Sequence, residues 1–230
     1  KGPYSLSTLT STYLTNDVGN WFREQVKAHP ETKWRIALVH KNIFSGSSHQ
    51  EDEETPLFRA TMLPIMKECE IDLMLQGHDH CYEVIGPVNP DTQKPIKHAI
   101  NDLEPSVLSA SRNKGGTFIV DDGTLYFIGA TCGSKRYDPN PKAVMEADLD
   151  KHKVENYYDL FTGMFCQPGA PSYSTFTVEG NKITVNSYKV LKGEAPELFN
   201  TFYIKRTKDH SSPASSISQI VIERNVANSR

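Results

Sequence analysis

Ile71-Asp-Leu-Met-Leu-Gln-Gly-His-Asp-His-Cys-Tyr82 is the stretch that decides the fold: a short apolar run, a glycine, then two histidines one residue apart. Side chains two apart on an extended backbone point to the same side, so His78 and His80 can reach one small volume at a strand end. Gly77 lets the chain turn there and leaves room for an ion. Eight histidines in 230 residues predict roughly 0.3 His-x-His pairs by chance, and roughly 0.02 once a glycine must precede them. The pattern reads as a metal-binding strand end, since imidazole is the commonest nitrogen ligand of transition metals. The plainer alternative is a pair of hydrogen-bonded core histidines.

Upstream, Trp34-Arg-Ile-Ala-Leu-Val39 is long enough for a buried strand and delivers His40 at its C-terminal end. Pro56 to Cys69 carries Leu57, Phe58, Met62, Ile65, Met66 and Cys69 at helical spacing, with Pro56 in the first turn and Pro64 in the middle. Strand, helix, strand at this length is a βαβ unit, which makes the two strands parallel and puts His40 and His78 at one sheet edge. Ligands of open α/β sheets bind at that carboxyl edge. Between strand and helix lies the polar loop 41–55, with Gly46, His49 and the acidic cluster Glu51 to Glu54, read as a solvated loop or the start of the helix. Further back, Val18, Trp21, Phe22 and Val26 form one apolar helical face, capped by Asn16 or Asp17 and ending near His29 and Pro30. Residues 1–16 read as an irregular lead-in.

Downstream, 87–97 and 101–114 read as loops. Thr117–Val120 and Thr124–Ala130, joined by Asp121-Asp122-Gly123, read as a hairpin, as do 174–178 and 183–190; Phe199–Ile204 reads as a last strand. Residues 157–166 are aromatic and expected against the core. The chain thus divides into a unit over 1–205 and a Ser-rich tail over 206–230, with one apolar patch at Ile220–Ile222.

At 37% hydrophobic content the chain is long enough for one sizeable core. A net charge of -3, with basic residues scattered, supplies no field for a phosphate backbone, so nucleic acid is not an expected partner. No apolar run approaches a membrane span, and Lys1 onward lacks a signal-peptide pattern; with no initial Met, either a leader was removed or this is a piece of something longer. Cys69, Cys81, Cys132 and Cys166 show no paired spacing, which argues against a zinc ribbon and leaves disulfides open.

These residues resemble a known family. Leu38-Val39-His40, the His49 loop, and Asp72 to Glu83 with its Gly77-His-Asp-His80 block are similar to the C-terminal half of a calcineurin-like metallophosphoesterase of the purple acid phosphatase branch. That family carries five blocks in order: a first Asp, Gly-Asp-x-x-Tyr, Gly-Asn-His-Asp/Glu, Val-x-x-His, and Gly-His-x-His followed by Tyr-Glu-Arg. Only the last two are present here, and Val84 stands where the Arg belongs. The resemblance, over about residues 17–205, implies half of a four-layer α/β sandwich: a parallel-to-mixed sheet with flanking helices, closed by antiparallel hairpins.

It also implies that His40 and His78 are ligands of one metal and His80 of a second, that His49 faces the substrate, where an imidazole can pass a proton unless it is merely a solvent-exposed loop histidine, and that Tyr82 and Glu83 stand behind the ligands or touch substrate; Asp79 is a candidate to orient a ligand from behind, an exposed turn aspartate being the plainer alternative. The cofactors implied are two divalent or trivalent ions (Fe, Zn or Mn), which clamp a phosphate ester and activate a water for in-line attack. The missing N-terminal half of the domain is then a required partner, and this chain alone is expected to be inactive. Monoester, diester, nucleotide and phosphoprotein substrates all fit, and the purple branch implies an exported protein, periplasmic or secreted. Two alternatives stand beside this: a non-catalytic binding or structural unit on the same fold, and a single-metal, three-histidine lyase or hydratase.

Overall fold

The computed structural model describes residues 13–105, 113–140 and 157–211. The first helix begins earlier than its sequence predicts: a π-helical turn, Leu14–Val18, runs straight into α1 (Gly19–Ala28), so neither Asn16 nor Asp17 caps it. Val18, Phe22 and Val26 pack against the core, but Trp21 is 55% exposed, contrary to the expected face.

β1 (Ile36–Leu38), α2 (Glu54–Glu68) and β2 (Leu73–Gln76) form the expected βαβ unit, with β1 and β2 parallel in the register Ile36–Leu73. Pro56 and Pro64 both lie within α2. β3 (Tyr82–Asn89) turns back through residues 90–93 onto the short β4 (Lys94–Pro95), so the expected loop 87–97 is largely a hairpin. β5 (Ile100–Pro105) and β6 (Asn113–Ile119) likewise replace an expected loop, pairing with each other.

β7 (Thr124–Gly129) corrects the first hairpin. It does not pair with β6: it inserts between β2, in parallel, and β3, antiparallel. β6 instead lies in a second sheet beside β11 (Glu197–Lys205). The physical reason is burial. Leu125, Tyr126, Phe127 and Ile128 are all buried, and a strand apolar on both faces belongs in the middle of a covered sheet. The turn after β6 therefore crosses between layers, held by Asp121, which accepts from the Thr207 and Lys208 backbone N–H groups.

The first sheet has the order β1-β2-β7-β3-β4, with β8 (Phe165–Cys166) beside β3; the second runs β5-β6-β11-β10-β9. β9 (Ser172–Glu179) and β10 (Lys182–Lys189) form the second hairpin as expected. One core lies between helices and first sheet, around Met62, Met66, Met74 and Phe161; another fills the space between sheets, around Leu73, Phe127, Phe202 and Ile204. These are the layers of a mixed α/β sandwich. All four cysteines are free thiols: Cys69, Cys81 and Cys166 buried, Cys132 exposed. Among the described residues no helix is long and apolar enough to cross a membrane. The lead-in 1–12, the stretch 141–156 and the Ile220–Ile222 patch lie outside the described residues; of the tail, 206–211 packs onto the body.

Candidate metal centre

β1 and β2 end at the same sheet edge, and their histidines follow at once. His40 comes two residues after Leu38, and its carbonyl accepts from Gly77 N–H at 3.1 Å. A Cβ on Gly77 would sit 3.3 Å from His40 Nδ1, so the glycine makes room for the imidazole. The left-handed backbone falls one residue later, on His78 (φ 70°), a conformation that costs a residue with a Cβ about 1–2 kcal/mol. It aims the His78 ring back over the His40–His49 side.

The rings gather there. His40 and His78 lie 5.3 Å apart between centroids and His78 and His49 only 3.8 Å apart. His80 stacks on Tyr137 at 4.8 Å, and Tyr137 in turn meets His49 edge-on at 5.5 Å. His80 Nδ1 lies 2.9 Å from the Lys135 carbonyl, which leaves Nε2 as its free nitrogen. Thus the four sequence-singled histidines converge on one neighbourhood.

The tightest donor set includes a residue that sequence reading left as a solvated acid. His49, Asp52 and His78 have ligand atoms within 4.8 Å of one another. Asp52 Oδ2 is 3.0 Å from His49 Nδ1, 3.9 Å from His78 Nε2 and 3.2 Å from Lys41 Nζ. Its one signal was a carboxylate three residues after a histidine, brought onto the same side by the short 3₁₀ turn Ser48–Glu51. Burial pushes the Asp52 carboxyl up, but the bonds from Lys41 and His49 more than offset it and hold it below the usual range. Burial, and then the neighbouring His49, Lys41 and His40 charges, hold His78 below the usual imidazole range, so it stays neutral and able to bind a cation. Two nitrogen donors and one oxygen, each side chain a quarter to a third exposed, suit a transition-metal ion.

Asp79 and Glu83 are buried behind this cluster and hold the loop that carries His49. Asp79 accepts from the Ser45 and Ser48 hydroxyls and the His49 N–H; Glu83 accepts from Gly46 N–H at 3.1 and 3.2 Å and from the Cys81 thiol at 2.7 Å. Burial, then the nearby Asp79 charge, pushes Glu83 up to about 8, and burial likewise raises Asp79. Gly46 itself is required: a Cβ would lie 2.4 Å from Phe165 Cζ. Gln76 completes the scaffold, accepting from Ile43 N–H at 2.6 Å. Tyr82 is not brought to this cluster. Strand alternation turns it to the opposite face, where it is fully buried between the sheets with its hydroxyl on Ser187 and Asn200.

No family model matches the chain. Purple acid phosphatase 3 of Arabidopsis thaliana is 35% identical over 85 residues, 36% of this chain and 21% of that protein. Purple acid phosphatase 4 of the same plant is 35% identical over 65 residues, 28% and 17% respectively. Among solved structures, the purple acid phosphatase PPD1 from yellow lupin (Lupinus luteus) seeds superposes with a TM-score of 0.53 at 14% identity, over 84% of this chain and 29% of that one. The chain therefore spans about a fifth of the length of the curated relatives it matches. Over about a third of its length the chain is thus similar in sequence to purple acid phosphatases, and over most of its length it shares the fold of one of them.

Proposed function

We propose that the protein to which this chain belongs is a metal-dependent phosphoric ester hydrolase, and that this chain supplies the C-terminal part of its dinuclear site. The observation that carries the reading is the meeting of His40, His49 and His78 at the carboxyl edge of two parallel strands, with His78 in a left-handed backbone. Strain of that kind persists where the surroundings over-determine it, and it gathers at ligand-binding positions.

His40 and His78 are assigned to one ion and His80, with Nδ1 held by the Lys135 carbonyl, to the other. Ions bound there supply Lewis acidity toward a phosphoryl oxygen. His49 is the proton carrier: with Nδ1 held by Asp52, Nε2 is the nitrogen that passes a proton to the leaving oxygen. Asp79 and Glu83 fix the loop on which His49 rides. The first Asp, the bridging Asp, the Tyr and the Asn come from the N-terminal portion of the catalytic domain, so residues 1–230 alone bind ions weakly and do not turn over substrate. Export to the periplasm or outside the cell goes with this assignment.

Calorimetry with Zn or Mn and a chromogenic phosphomonoester assay test it together. The complete polypeptide is expected to bind two ions and hydrolyse the ester, and residues 1–230 to do neither tightly. Two-ion binding with turnover by 1–230 overturns the division of the site; ion binding without turnover by the complete protein favours the non-catalytic reading.

A further inference from the structure

The loop that follows β7 borders the histidine cluster and is tied to both segments that carry it. On one side the Lys135 carbonyl lies 2.9 Å from His80 Nδ1, and Gln167 Nε2 donates to the carbonyls of Tyr137 and His80 at 2.6 and 2.9 Å. On the other, Ser47 Oγ donates to the Asp138 carbonyl at 2.8 Å and Asn140 N–H to the Gly46 carbonyl at 2.9 Å. A stretch anchored at both ends keeps its side chains in place. Two of them matter here. Tyr137 stacks on His80, and Lys135 Nζ stands 5.0 Å from the centre of that same tyrosine ring. The two steps together bound the ammonium within about 10 Å of the His80 imidazole. Attraction to the ring quadrupole gives this otherwise flexible side chain a preferred position.

Two lysines flank the histidines, and they differ in what their charge meets. Lys41 Nζ lies 3.2 Å from Asp52 Oδ2 and 2.8 Å from Glu54 Oε1, so its charge is balanced within the protein. Lys135 is exposed and, among the described residues, has no carboxylate partner. We propose that Lys135 is a specificity-determining residue that receives a second phosphoryl group, carried on the leaving side of the ester. The preferred substrates are then phosphoric esters bearing two phosphates a few bonds apart. This rests on the hydrolase reading above and adds which esters the site selects. A lysine recognises phosphate as a point charge, and an uncompensated one beside an anion-binding site favours the more highly charged substrate. Stacking is not the means, because the Tyr137 ring is already met by His80, His49 and Lys135. The contact lies away from the phosphorus under attack, so it is equal in ground and transition states and acts on KM rather than kcat.

The test uses the complete polypeptide, as its gene encodes it, loaded with Zn. Calorimetry compares butane-1,4-diphosphonate with butylphosphonate, neither of which can be hydrolysed, and turnover compares butane-1,4-diol bisphosphate with butyl phosphate. The two-phosphate compounds are expected to bind at least about fivefold more tightly, with KM lower by the same factor and kcat unchanged. That exceeds the roughly twofold gain a two-ended probe has by statistics alone, and it should shrink as salt rises. Lys135→Gln is expected to abolish the advantage without changing the one-phosphate values, and Lys135→Arg to keep it. Arg136→Gln, which removes the adjacent exposed cation, should also keep it. Absence of the advantage in wild type overturns the inference. So does an equal loss for both probes in Lys135→Gln, which marks a purely structural lysine, or an Arg136→Gln loss as large, which marks a diffuse field. Diphosphonate preference without turnover of either ester sinks the hydrolase reading alone, and turnover without preference sinks this inference alone.

Discussion

The two ends of β1 and β2 carry the same chemistry, aspartate beside histidine, and treat it in opposite ways. At the amino end Asp72 is sealed: it accepts from the Arg35 backbone N–H, from Arg206 Nη1 and from His210 Nε2, and it is 1% exposed. His210 is equally committed, its Nδ1 lying 3.2 Å from the Thr32 carbonyl. At the carboxyl end Asp52, His49 and His78 keep contact with solvent, and His78 Nε2 lies 3.9 Å from Asp52 Oδ2, beyond hydrogen-bond reach. A saturated buried charge can only hold structure, whereas an unsaturated one at an open edge can exchange partners with a ligand.

The sharpest way to break that contrast is Asp72→Ala. It strands the buried Arg206 guanidinium without a counter-charge and leaves His210 Nε2 without its partner, and is expected to lower stability by about 3–5 kcal/mol in urea titrations, with ion affinity of the folded molecules unchanged. A loss below about 1 kcal/mol would make the amino end as tolerant as the carboxyl end.

Next in size is a pH effect from Glu83. Its folded-state carboxyl lies near 8 against an ordinary 4.5, so between those values the folded chain keeps a proton that the unfolded chain gives up. Its contribution is therefore fully present below about 4.5 and is lost as pH rises toward 8, with a slope of about 1.4 kcal/mol per pH unit. Asp79, shifted the same way, adds to it. Denaturant curves across that window should show the fall in wild type and a flatter line in Glu83→Gln.

His78→Gly separates fold from site in a single residue. Relief of the left-handed strain should raise stability by about 0.5–1 kcal/mol, while calorimetric ion affinity drops tenfold or more. The smallest stability change is expected for Asp52→Asn, under about 1 kcal/mol because its pairs are partly exposed. Its affinity for an added ion decides between the two candidate donor sets. A larger drop than for His40→Ala favours His49, Asp52 and His78 as the trio.

The βαβ unit was legible because apolar periodicity and the Gly-His-Asp-His80 block are local, and a crossover of α2's length leaves little choice of strand direction. The β6–β7 connection was misread for a matching reason. Asp121-Asp122-Gly123 signals a reversal but carries nothing about which sheet each strand joins. The unbroken apolar run Leu125–Ile128 was the hint that β7 is central. Asp52 left only its place three residues after His49 as a signal, and Tyr137 left none, since it reaches the histidines through the course of a loop and is 57 residues from His80 along the chain. Tyr82 was assigned by its neighbourhood in sequence, although alternation already placed it opposite Glu83.

The thiols offer a practical handle. Burial pushes Cys69 up to about 11, Cys166 to about 12 and Cys81 well above its ordinary value, so none of the three presents a thiolate near neutrality. Cys132 alone stands in the open, three residues beyond the end of β7, a strand parallel to β2 and finishing at the same edge as His78. A single maleimide fluorophore thus lands beside the histidines without any engineered residue, and its quenching by a paramagnetic ion such as Mn would read occupancy directly.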